Sequence, residues 1–382
     1  MGGVLLEIVF WVCSALLVYV YAGYPLLVGL YARLAGRPVH RGVYRSTVTI
    51  VVTAYNEERG IRDKLVNLAA LDYPAQLVDV IVASDASSDA TDSIVAAFDP
   101  ARVRLLRIEG RRGKTWCQNA AVEAAAGDIV VFTDATTRID RGALAAMLED
   151  FADPEVGCVA GLLVYEGKGL NLTAQGGTAY WGYEIRLRAA ESALGSLVGV
   201  SGCLYAVRRS AYRPIEPELI SDFMIAAQIR EQGLRTVLEE RAVCFEETLE
   251  HTRNELAMRI RVAIRSIHAL VAEHRFLNPF RYGRFAWQLW SHKVLRYASP
   301  FLWLAALLAN LLLAGRPVYL ALLIVQLAVI LAGISGFALH SSGTRFALLN
   351  RFYYLLLTNV ASLLAGVRFL RGERVVTWKP LR

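Results

Sequence analysis

Charge is scarce in this chain. Asp, Glu, Lys and Arg make up 20% of its 382 residues, where an ordinary soluble domain has about 25%. The shortage is concentrated: from Met1 to Ala32 the only such residue is Glu7, and between Tyr297 and Thr344 the only one is Arg316. Cysteine is sparse too, and the five thiols at 13, 117, 158, 203 and 244 stand apart without paired metal spacing. That excludes a disulfide scaffold and a cysteine zinc module, and it fits a reducing compartment. His251 and His268 likewise lack metal-ligand spacing. There is no internal repeat or low-complexity tract, and a 55% apolar composition excludes disorder.

The uncharged stretches are apolar. Ile8–Ala32 exceeds the ~20 residues that cross a hydrocarbon core of about 30 Å. It is too long for the apolar core of a secretory signal, and no clean cleavage site follows it. Two further helices are expected over 298–314 and 318–339, joined by the turn Gly315-Arg316-Pro317. A third run, Phe352–Val367, lies between Arg351 and Arg368 and spans only about 24 Å as a helix. It reads as interfacial or re-entrant, or as spanning by recruiting 346–350.

The expected layout is a transmembrane helix in 1–36, a domain over 46–296 with interfacial helices near 253–296, an apolar region over 297–367 and a basic tail over 368–382. Arg33, Arg37, Arg41 and Arg45 follow the first helix, and Arg281, Arg284, Lys293 and Arg296 precede the second. The positive-inside rule puts the central domain in the cytoplasm. The tail, with Arg368, Arg371, Arg374, Lys379 and Arg382, is expected there too. That requires an even number of crossings after the domain, so the short third run is expected not to cross. The net charge of +7 would suit nucleic acid, but the excess lies beside apolar segments and fits anionic headgroups instead. Arg259, Arg261 and Arg265 lie among Leu256, Ile260, Ile264 and Ile267, the pattern of a basic amphipathic helix over 253–275. Trp287, Trp290 and Tyr297 read as an aromatic belt.

The central stretch alternates. Strands are expected over Thr47–Thr53, Val78–Ala83, Val103–Ile108 and Asp128–Thr133, with helical patterns between them. Such alternation implies an α/β domain with a parallel sheet, and ligands then bind at the carboxyl ends of strands. Those ends carry Asn56-Glu57, Asp85 and Asp134.

The runs Val52-Thr53-Ala54-Tyr55-Asn56-Glu57, Ser84-Asp85-Ala86-Ser87-Ser88-Asp89, Gly113-Lys114 with Asn119, and Phe132-Thr133-Asp134-Ala135-Thr136 resemble the nucleotide-sugar half of family 2 glycosyltransferases. Ser201-Gly202-Cys203-Leu204-Tyr205-Ala206-Val207-Arg208, Ser221-Asp222-Phe223 and Gly233-Leu234-Arg235 resemble the acceptor half. The membrane layout is similar to that of the membrane-integrated polysaccharide-synthase branch. The resemblance implies a GT-A (Rossmann-like) cytoplasmic domain with flanking transmembrane helices.

It also implies roles. Asp85 would contact the base, with Glu57 and the Ala54–Tyr55 backbone beside it, and Lys114 would supply a cation. Asp134 begins the family's metal-binding Asp-x-Asp, but its third position here is Thr136. The implied Mg2+ or Mn2+ would then be held by Asp134 with the Thr136 hydroxyl or a water. Asp222 matches the general base that deprotonates the acceptor hydroxyl; on local sequence alone, Ser221 or Asp222 equally fits a helix N-cap. Arg265 is the survivor of a Gln-x-x-Arg-Trp motif whose Gln and Trp are missing, and it would hold the diphosphate. Tyr180, Trp181, Gly202 and Cys203 fall on the acceptor side, as do Tyr183 and Glu184, while Trp378 resembles a tail motif. Packing accounts equally well for the residues at 180–184, and a lipid anchor for Trp378.

The implied activity is inverting hexosyl transfer from a UDP-sugar to a lipid-linked or polysaccharide acceptor, in surface polysaccharide or glycolipid synthesis at a bacterial inner membrane. Membrane lipid is an expected partner and nucleic acid is not. The competing class is a catalytically degenerate membrane scaffold or nucleotide-sugar sensor. Thr136 and the missing Trp favour it; Asp85, Asp134, Asp222 and Arg265 oppose it.

Overall fold

The structure, a computed structural model, describes residues 2–166, 172–247, 252–341 and 346–375, with side chains left undescribed at 172–181, 247, 252–254, 340–341 and 347. From the N-terminus the elements are α1 (Gly2–Ala35), β1 (Val48–Ala54), α2 (Ile61–Ala69), β2 (Val78–Asp85), α3 (Thr91–Ala96), β3 (Val103–Ile108), α4 (Lys114–Glu123) and β4 (Ile129–Asp134). There follow β5 (Arg138–Ile139), α5 (Ala143–Asp150), β6 (Val156–Glu166), α6 (Leu172–Leu194), β7 (Leu204–Arg208), α7 (Ser221–Glu231) and β8 (Arg235–Glu247). The chain continues through α8 (Thr252–Ala272), α9 (Arg284–Leu312), α10 (Pro317–Ser341) and α11 (Ala347–Leu370). A sheet unit comprises 35–166, 188–248 and 374–382; a helical unit comprises 1–34, 167–187 and 249–373.

The sheet unit is α/β, with strand order β3-β2-β1-β4-β7-β6-β8-β5. β1 is buried along its whole length between β2 and β4, which is why it reads as an unbroken β-branched run rather than an alternation. The four expected strands are all present, and they pair in parallel. The sheet as a whole is mixed, because β7 runs antiparallel to both β4 and β6. Phe132 of β4 stacks on Tyr205 of β7, with centroids 4.7 Å apart, in the core at that junction.

In the helical unit, α1, α9, α10 and α11 are each long and apolar enough to cross a membrane. Both α1 and α9 contain a π-helical turn, at Tyr19–Gly23 and Trp290–Val294. The Tyr19 hydroxyl lies 2.7 Å from Ser291 Oγ and accepts from Trp287 Nε1 at 2.9 Å. Helix α9 begins at Arg284, well before the expected 298, so the aromatic residues 287, 290 and 297 lie within it.

The third apolar run is longer than its sequence limits suggest. Helix α11 has 24 residues, about 36 Å at 1.5 Å per residue, because it recruits residues on both sides of the bracketing arginines. A charge at the edge of an apolar run does not end backbone hydrogen bonding. Tyr353, Tyr354 and Leu357 of α11 pack with Leu256 of α8, the Arg259 guanidinium lies 4.6 Å from the Tyr354 ring centroid, and His268 faces Phe369 at 6.4 Å. The Asn359 Oδ1 accepts from Ser299 Oγ of α9 at 2.8 Å.

Gly333 and Gly336 let α10 approach α11 closely. A Cβ at Gly336 would collide with the Leu349 carbonyl and come within 2.9 Å of Tyr353 Cβ. Gly336→Val is therefore expected to cost about 1–3 kcal/mol of overpacking, read as a lower melting temperature in detergent. Gly315→Ala, where the space is open, is the control expected to leave it unchanged.

Candidate functional site

Strand register decides which residues meet. Thr53 lies opposite Asp134 and Ala54 opposite Ser84, so the turns after β1, β2 and β4 leave one edge of the sheet together. They are tied to each other. Asn56, at φ +54°, donates its backbone N–H to Ser87 Oγ (3.1 Å) and accepts the Ser88 N–H on Oδ1 (2.8 Å). The Glu57 N–H donates to Thr91 Oγ1 at 2.8 Å, and the Glu57 side chain is buried. Asp85 is fully buried, and its two oxygens accept the backbone N–H groups of Arg112 (2.7 Å) and Gly113 (3.1 Å). Its carboxylate thus anchors the loop that carries Lys114. The Arg111 guanidinium covers the Tyr55 ring at 3.6 Å.

Gly113, at φ +92°, occupies a conformation that favours glycine, and Lys114 is the first residue of α4. Lys114 Nζ pairs with Asp134 Oδ1 and donates to the Gly202 carbonyl at 3.4 Å. A Cβ at Gly202 would lie 2.8 Å from both Asp222 oxygens and 3.0 Å from Lys114 Nζ. One ammonium and two carboxylates therefore meet around a single glycine. Burial works against the charge on Lys114, but the Asp134 and Asp222 carboxylates outweigh it and hold its pKa above the usual lysine value. The N-cap of α7 is Ile220, and no side chain caps that helix. The capping alternative for Ser221 and Asp222 is not realised. Asn119, also on α4, is structural: it donates to the Ile215 carbonyl at 2.7 Å and accepts the Ile215 N–H at 3.1 Å.

Two further residues join the cluster that the motifs did not single out. Lys64 of α2 is buried and donates to Thr133 Oγ1 and the Thr137 carbonyl, both at 2.7 Å, beneath the turn that holds Asp134. Burial lowers its pKa to about 7 against the pull of Asp134. It hid within an ordinary amphipathic helix. Glu246, near the end of β8, accepts from Thr136 Oγ1 at 3.5 Å and from Cys203 Sγ at 3.7 Å. Burial, then the Asp134 charge, pushes its carboxyl up to about 7, and burial with Glu246 beside it pushes the Cys203 thiol well up. The strand-end rule that finds Asp85 and Asp134 also finds Glu246.

Arg265 belongs to α8 in the helical unit. Glu184 is not free to line a pocket: its oxygens lie 2.8 Å from His292 Nε2 and 2.7 Å from Arg296 Nη1. The Tyr180 and Trp181 side chains and Trp378 lie outside the described residues. Among the described residues no three His, Cys, Asp or Glu side chains are gathered as a metal site. The Asp134 carboxylate and Thr136 hydroxyl are hard oxygen donors, chemically suited to Mg2+ or Mn2+ completed by diphosphate and water.

Residues 49–215 match the model described as glycosyl transferase family 2. Poly-beta-1,6-N-acetyl-D-glucosamine synthases of Staphylococcus epidermidis and Staphylococcus aureus are 26% identical over 204 residues, which is 52% of this chain and 49% of theirs. The chain thus spans about half the length of these curated relatives. A mannosyltransferase from Pyrobaculum calidifontis, solved in complex with GDP-Man and Mn2+, superposes with a TM-score of 0.74 at 26% identity, covering 96% of this chain and 99% of that one.

The space at Gly202 yields a prediction. Gly202→Ala forces Asp222 and Lys114 apart and is expected to lower turnover about 100-fold, the scale of a 1 Å misplacement, with little change in melting temperature. Steady-state rates beside thermal unfolding check it.

Proposed function

The chain carries a glycosyl transferase family 2 domain, and we propose that it transfers a sugar from a nucleoside diphosphate sugar to a hydroxyl of a membrane-anchored acceptor, with inversion. The observation that carries this reading is the meeting of Lys114, Asp134 and Asp222 around Gly202. Asp222 takes the proton of the acceptor hydroxyl as its oxygen attacks the anomeric carbon. The bond from that carbon to the diphosphate oxygen breaks on the opposite face, and the electron pair leaves with the nucleoside diphosphate. A single displacement inverts the anomeric centre. Lys114 stabilises the charge that develops on the departing diphosphate. A divalent cation at Asp134 and Thr136 would supply further positive charge there.

The motif resemblance points to UDP as the nucleotide. A GDP-sugar is the second reading, supported by the mannosyltransferase match over 96% of the chain. The absent Gln and Trp beside Arg265 favour addition of one sugar over a long chain, whereas the half-length match to polysaccharide synthases favours a polymer. Release of UDP or GDP by purified protein in lipid, with product masses measured, separates these. Asp222→Asn is expected to lower turnover by about 10²–10⁴-fold with nucleotide binding retained; an unchanged rate removes Asp222 as the base.

The same proposal places the sheet unit in the cytoplasm of a bacterial cell, at its inner membrane, with the basic tail on the same side. The path of α11 supports this. Its contacts with α8 run in step along both helices, from Leu256 with Tyr354 to His268 with Phe369, and α8 carries too many arginines to cross a bilayer. Helix α11 also packs along α10, at Gly333 and Gly336, and meets α9 at Ser299 and Phe301. On this reading α11 keeps with α8 at the membrane surface, and α9 and α10 are the two crossings after the domain. A C-terminal epitope is expected to be reached by antibody in inverted vesicles together with the catalytic domain. Access from the opposite face alone would show α11 crossing.

A further inference from the structure

The Asp-x-Asp position that lacks its second carboxylate has another carboxylate beside it. Thr136 stands where that aspartate is expected, and the side chain within reach of its hydroxyl is Glu246, at 3.5 Å. The placement follows from strand pairing. β5 and β8 are antiparallel, with Arg138 opposite Phe245 and Ile139 opposite Cys244, so the residues just before β5 come level with Glu246. Side chains alternate along a strand, and Cys244, two positions earlier, is buried. Glu246 therefore points to the interior side, toward the Asp134–Thr137 turn. Its hydrogen-bond partners there are a hydroxyl and the Cys203 thiol, and the cation whose charge reaches it, Lys114, is already paired with Asp134.

We infer that Glu246 is a ligand of the divalent cation, supplying from β8 the carboxylate that Thr136 does not. Asp134 and Glu246 then offer two carboxylates, with the Thr136 hydroxyl between them, to a hard ion that takes its remaining oxygens from diphosphate and water. The inference rests on the proposed nucleotide-sugar site, of which it deepens one part. The motif alone does not reveal Glu246, which lies 110 positions along the chain from Thr136.

The test is Mn2+ binding rather than turnover. The full-length protein in lipid is titrated with Mn2+ in the presence of UDP and, separately, GDP, and free Mn2+ is read from its electron paramagnetic resonance signal. Glu246→Gln is expected to weaken Mn2+ binding roughly tenfold or more, with the melting temperature and metal-free nucleotide binding unchanged. Thr136→Asp, introduced into the Glu246→Gln protein, is expected to restore most of the lost affinity, which a merely structural role for Glu246 would not allow. Mn2+ affinity in Glu246→Gln equal to that of the parent overturns the inference, as does failure of Thr136→Asp to restore it in a folded protein. Turnover by a parent protein that binds no Mn2+ with either nucleotide also overturns it while leaving the proposed activity standing. An Asp222→Asn protein of undiminished rate has the reverse effect: it removes the proposed base and leaves the Mn2+ result intact.

Discussion

The site depends on one half-buried ammonium, that of Lys114. Asp222 closes on Gly202 and Asp134 pairs with the lysine beside it, and two like charges brought to one place in a protein interior repel. Lys114 makes their approach tolerable, and its position is itself built. Asp85 holds the Arg112 and Gly113 amides, Gly113 turns the chain, and α4 begins with the lysine pointing at the sheet edge. The carboxylate at the end of β2 thus acts on the one at the end of β4 through a loop and a cation. Replacing Lys114 would remove the balance and not merely a contact.

The sheet edge was legible because its causes are local. A strand buried on both faces reads as a β-branched run, and a parallel sheet must present its strand ends together, so Glu57, Asp85 and Asp134 could be placed from sequence alone. The mixed half of the sheet was not legible: nothing near Leu204–Arg208 declares that β7 runs against β4. Lys64 was hidden because a buried lysine is recognised by what lies over it, here the Thr133–Thr137 turn. Asp222 is ambiguous in sequence because a helix start and a general base use the same residue type; the backbone, with its cap at Ile220, gives Asp222 no capping role.

Helix ends are hard to read for a related reason. Arg351 and Arg368 bracket the apolar run, but helix length is set by backbone hydrogen bonds, and an arginine at either end of α11 can turn its charge toward headgroups. The basic face of α8 and the apolar face of α11 belong to one arrangement, with Arg259 set on the Tyr354 ring. An amphipathic pattern identifies such a helix but does not name its neighbour.

The π turn in α1 has a consequence of its own. One residue added to an α-helix rotates everything beyond it by about 100°. Before the turn, Phe10 and Trp11 face Tyr319 of α10. Within it Tyr21 reaches Ser299 and Asn359, and directly beyond it Tyr24 reaches Trp287. One continuous rod therefore presents two different azimuths to two sets of neighbours. The matching insertion in α9, joined through the Tyr19 hydroxyl, means that excising a single residue from either helix would twist its two halves out of phase, and only a paired excision could bring them back into alignment.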